Sequence, residues 1–67
     1  MVLNGNNAYQ HIVESMVDKN PGYWETFVID ADDGAIDVLC FRIDNFGLKT
    51  ETPYRNVFGQ VQLRVRK

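Results

Sequence analysis

The chain has one cysteine, Cys40, and one histidine, His11, among its 67 residues. A lone cysteine excludes a disulfide within the chain. Zinc asks for about four ligands, and Cys40 with His11 falls short unless carboxylates or a second chain contribute, so no metal or other cofactor is expected. Apolar runs are short too. Nowhere do about eighteen apolar residues follow one another, the length a bilayer-spanning helix needs, and no membrane partner is expected. The opening MVLNGNNAYQ lacks a basic stretch ahead of an apolar one, so no secretory leader is expected. An unpaired cysteine in a strand-like context suits a reducing compartment, which makes a cytoplasmic location the expectation. There is no internal repeat and no low-complexity stretch.

Residues 1–67 read as a single small domain, with 1–6 expected to form a flexible N-terminus. A chain this short buries only about 60% of the surface its unfolded form exposes, so the core is thin. With disulfide and metal set aside, stability has to come from packing, self-association or a partner.

The net charge of −2 conceals an asymmetry. Residues 1–44 hold eight acids against Lys19 and Arg42, for −6, while residues 45–67 hold Glu51 against Lys49, Arg55, Arg64, Arg66 and Lys67, for +4. Such polarity steers charged partners without setting a fold.

Periodicity places one amphipathic helix near the N-terminus. Tyr9, Ile12, Val13 and Met16 recur at helical spacing, flanked by Ala8 and Val17, while His11, Glu14, Ser15 and Asp18 fall opposite. Asn6 or Asn7 can cap its start, and Asn20-Pro21-Gly22 ends it. From Tyr23 the pattern becomes strand-like. FVIDADDGAIDVLCFRI, Phe27 to Ile43, reads as a hairpin folded through Asp33-Gly34, a pair suited to a type I′ turn. In that register Phe27, Ile29, Val38 and Cys40 share one apolar face. Trp24, Thr26, Val28, Leu39, Phe41 and Ile43 share the other, bulkier face, against which the helix is expected to pack, with Trp24 closing the end of the core. A short edge strand is expected at Leu48–Glu51, and Pro53 argues against a central strand beyond it. Val61, Leu63 and Val65 alternate with Gln62, Arg64 and Arg66 as a half-buried final strand, with Gly59 as a candidate bulge before it.

The fold expected is therefore α+β: one N-terminal helix packed on a three- or four-stranded, mainly antiparallel sheet. One helix covers one face only, which leaves Phe27, Ile29, Val38 and Cys40 for a partner.

Motifs for chemistry fail on inspection. The acidic run from Asp30 would need glycine and glutamate where a calcium loop has its sixth and twelfth positions, but Ala35 and Phe41 stand there. His11, Glu14 and Ser15 sit on an exposed helix face that offers no oxyanion site or water-excluded pocket. Cys40 has no neighbouring cation to activate it. No catalytic residue is expected. Val57–Leu63 places Phe58 beside a glycine, as RNA-binding strands do, yet Gln60 occupies the place of a stacking aromatic. The function expected is a non-enzymatic interaction module, a small regulator or inhibitor. It would act as a homodimer or on a larger protein through Phe27, Ile29, Val38 and Cys40. The alternative is a nucleic-acid-binding domain using a basic C-terminal patch of Arg55, Phe58, Arg64, Arg66 and Lys67. The acidity of the rest of the chain counts against that alternative.

Overall fold

A computed structural model describes all residues, 1–67. The chain is α+β, with strand β1 (Val2–Asn4), helix α1 (Ala8–Met16), strand β2 (Trp24–Asp30), helix α2 (Asp33–Phe46) and strands β3 (Lys49–Thr50), β4 (Tyr54–Arg55) and β5 (Val61–Arg66). The strands form one mixed sheet of order β1-β2-β5-β3, with β4 pairing beside β3 on the same side of β5. β1 runs parallel to β2 after the α1 crossover, and β5 lies antiparallel between β2 and the β3–β4 segment.

The expected hairpin is the main correction. Residues 33–46 are helical, so the chain has two helices rather than one. The Asp32 carboxylate accepts a hydrogen bond from the Ala35 amide at 2.8 Å, which makes it the N-cap of α2. Asp33 follows in the first turn, where its charge suits the helix dipole. No residue other than glycine has a positive φ, so Asp33 does not adopt the type I′ geometry. At the other end Gly47 takes the left-handed region at φ 112. The Leu48 amide then reaches back to the Ile43 carbonyl at 3.3 Å while its side chain turns into the core. Ile36, Leu39 and Ile43 form the buried stripe of α2.

α1 follows the sequence reading in its apolar stripe but ends sooner, at Met16 with Val17 as its C-cap rather than at Asn20-Pro21-Gly22. Ala8, Ile12 and Met16 are buried, Tyr9 and Val13 half-buried, and Val17 exposed. Asn7 stands at the N-cap without a side-chain bond to the helix. The Asn4 carboxamide oxygen accepts from the amides of Asn6 and Asn7 instead. The N-terminus is not a free tail: Val2–Asn4 is an edge strand and Leu3 is in the core.

Both helices cover one sheet face. Leu3, Phe27, Ile29, Val61, Leu63 and Val65 point into that layer and meet Ile12, Met16, Ile36, Leu39 and Ile43. Phe27 and Ile29, expected to be left for a partner, are thus the floor of the core. Val38 and Cys40 sit on α2, Val38 exposed and Cys40 half-buried, so the four residues do not share a face. The expected edge strand appears as β3, and Gly59 lies in a turn (φ 79) rather than in a bulge.

Candidate functional site

With both helices on one side, the opposite face of the sheet is uncovered, and register sorts its side chains into rows. Trp24 pairs with Arg66, which pairs with Lys49. Thr26 pairs with Arg64, and Arg64 meets Glu51 through a backbone bond and an ion pair at 2.7 Å. Val2, Val28, Gln62 and Tyr54 form the third row. Because side chains alternate along a strand, the inward set Val61, Leu63 and Val65 forces Gln62, Arg64 and Arg66 outward.

Trp24 stands in the end row of the face, at the start of β2. The residue is 36% exposed, and the guanidinium of Arg64 lies 4.7 Å from the ring centroid, with that of Arg66 at 5.7 Å. Stacking of this kind holds two cations over an aromatic plane. Beside it Thr26, Glu51, Thr52, Tyr54, Gln62 and Arg64 line an open depression of about 580 Å³. Tyr54 is 61% exposed at its rim. The site thus combines aromatic planes, three cations of which one is paired with Glu51, and hydroxyl and amide groups free to exchange hydrogen bonds.

The five residues of the expected basic patch separate. Arg64 and Arg66 are on the open face. Lys67 caps the end of α1, its ammonium donating to the Val17 carbonyl at 2.7 Å. Arg55 is engaged at the sheet edge: it donates to the Ala31 carbonyl at 3.0 Å, to the Asp33 carboxylate at 2.7 Å, and to the Gly59 carbonyl. Phe58 stands exposed on the turn between β4 and β5. Trp24, Lys49 and Tyr54 complete the face instead. The sequence held a signal for Trp24, whose phase along β2 is opposite to that of Phe27 and Ile29. Reading it required knowing that β5, not residues 35–43, is the partner of β2.

The groups weighed for catalysis do not converge. The Ser15 hydroxyl donates to Glu25 at 3.2 Å, and His11 is exposed on α1. No group of three or more His, Cys, Asp or Glu side chains gathers in a metal-binding arrangement. Burial pushes the Cys40 thiol pKa up, and the carboxylates of Asp44 and Asp37 add to the shift. No helix is long and apolar enough to cross a membrane. Comparison with protein families, with curated proteins and with solved structures finds no match.

Proposed function

We propose that the protein is a non-enzymatic binding module whose open sheet face takes a single-stranded nucleic acid. The observation that carries this reading is Trp24 held beneath Arg64 and Arg66 on an uncovered sheet, in one row with Lys49. A single strand offers phosphates and planar bases together, and binding surfaces for it combine cations with aromatic platforms. Tyr54, diagonally across the sheet, gives a second plane, and Thr26 and Gln62 offer hydrogen bonds between them. Duplex fits less well, because its bases are stacked inward and a flat sheet enters neither groove deeply. Charge orients the complex. Glu14, Asp37 and Asp44 lie on the helices against the one cation Arg42, and Asp33 is paired with Arg55, so a polyanion is disfavoured on that side relative to the sheet. Catalysis is left out of the reading, because the face has no nucleophile beside a base.

Trp24 is the only tryptophan, so its fluorescence reports on the site directly. Titration with oligothymidylate at physiological salt is expected to quench it saturably, while a duplex of equal length does so weakly. With two phosphates neutralised by Lys49 and Arg66, Arg64 being paired with Glu51, the logarithm of the affinity should fall with the logarithm of salt at a slope of about −1.4. Trp24→Ala, followed by anisotropy of a labelled strand, should lose about 1–3 kcal/mol. Absence of quenching by any single strand, or equal affinity for duplex, would overturn the reading.

A further inference from the structure

The outer surface of α2 is unpartnered and has the pattern of a helix-pairing seam. Gly34, Val38, Phe41 and Asn45 follow one another at spacings of four, three and four residues and point away from the buried stripe of Ile36, Leu39 and Ile43. Val38 is 59% and Phe41 67% exposed. In heptad terms Val38 and Asn45 take the a positions and Gly34 and Phe41 the d positions, with Asp37 at g and Arg42 at e.

We infer that a second copy of this chain occupies the seam, with the two α2 helices side by side and parallel about a two-fold axis. The charges select both occupant and direction. In a parallel pair a residue at g faces the e residue five positions later on the partner helix, so Asp37 meets Arg42 of the partner subunit, and symmetry makes the pair twice. Neither residue forms an ion pair within its own chain, whose two ion pairs are Arg55–Asp33 and Arg64–Glu51. Arg42 lies over the Tyr9 ring at 3.9 Å, on the flank of α2 where that carboxylate would arrive. An antiparallel pair would instead bring g against g, setting Asp37 against a second aspartate, Asp44 of the partner subunit. Asn45 at an a position favours two strands in one register, since the two carboxamides bond each other only when aligned. α2 has 14 residues, two heptads, too short to pair as an isolated peptide. Here it is already held helical by the sheet, and pairing has only to cover Val38 and Phe41. Such an interface falls below the roughly 1,200 Å² of a stable complex, so the dimer is a weak one that forms at high concentration. It leaves both open sheet faces pointing outward.

Sedimentation equilibrium of the whole chain, from micromolar to millimolar concentration, tests the assembly, with circular dichroism confirming that each variant is folded. The native chain should show reversible dimerisation. Phe41→Glu, at an exposed position, should abolish it with the fold intact. Asp37→Arg should weaken it about tenfold, because two attractive pairs become repulsive. Asp37→Arg combined with Arg42→Asp should restore it. A chain that stays monomeric at millimolar concentration would overturn the inference, and so would dimerisation indifferent to Phe41→Glu. Tighter association of Asp37→Arg would overturn the parallel arrangement, since in an antiparallel pair the introduced guanidinium meets the carboxylate of Asp44 of the partner subunit.

Discussion

Cys40 shows how one side chain carries information about its surroundings. It is half-buried against the core, and Asp37 and Asp44 lie one turn away on either side along α2. Each of these disfavours the thiolate, so alkylation by a neutral reagent at mildly alkaline pH should be slower in the folded protein than in the urea-unfolded chain. The sign for stability follows from linkage. The folded chain holds the thiol proton more tightly than the unfolded one. The contribution of Cys40 is therefore complete below about pH 8.5, the ordinary thiol value, and is lost as pH rises through the raised folded value. Denaturant melts of the native chain and Cys40→Ser between pH 7 and 10 should show a decline in the native chain that the variant lacks. Trp24 makes the complementary case. A large aromatic in a small domain is ordinarily a core residue, and its position on the open face, under two arginines, is what makes it a candidate for binding.

At the scale of elements, α2 depends on its ends. Asp32 supplies the N-cap bond to Ala35, and Gly47 supplies the left-handed residue that lets Leu48 return to the core. Asp32→Ala should cost about 0.5–2 kcal/mol, whereas Asp32→Asn, which keeps an acceptor, should cost little. In a domain of this size each kcal/mol corresponds to about 4–8 °C in melting temperature, so thermal melts followed at 222 nm separate the two. Gly47→Ala forces a Cβ into the left-handed region, at about 1–2 kcal/mol. These effects are large for a thin core, and they show that the helix depends on local capping as well as on burial.

For the whole molecule, the decisive feature is that one sheet face is covered twice and the other not at all. Ile29 and Val28 are neighbours on β2 with opposite fates: Ile29 is fully buried, while Val28 stands half-exposed on the open face. Ile29→Lys places an unpaired charge in the only core, a penalty that exceeds what a marginally stable domain can absorb, and should unfold it. Val28→Lys should remain folded in circular dichroism melts and raise affinity for a single strand by adding a cation to the third row. A folded Ile29→Lys protein would contradict the two-layer architecture.

The sequence alone determined the elements whose periodicity admits one solution. α1 has a helical apolar stripe, although it ends at Met16, before the Asn20-Pro21-Gly22 stop that the sequence offered. β5 alternates strictly between Val61, Leu63, Val65 and its polar residues, and the phase of β2 was likewise legible, with Phe27 and Ile29 opposed to Trp24 and Val28. Charge asymmetry along the chain was plain as well, and with it the candidacy of Arg64 and Arg66. Tertiary structure decided the state of residues 33–46. Ala35-Ile36-Asp37-Val38-Leu39-Cys40-Phe41 is apolar enough to satisfy a strand or a helix, and Asp32-Asp33-Gly34 is at once a turn signal and a helix start. The choice turned on which partner β2 takes, and that partner, β5, lies at the far end of the chain. Once β5 pairs with β2, residues 33–46 are released from the sheet, and burial against Phe27, Ile29, Leu63 and Val65 favours the helical stripe Ile36, Leu39 and Ile43. That same pairing sets Trp24 beside Arg64 and Arg66. Local patterns specify which side chains point together along one element, but only long-range pairing brings the faces of two elements into one surface.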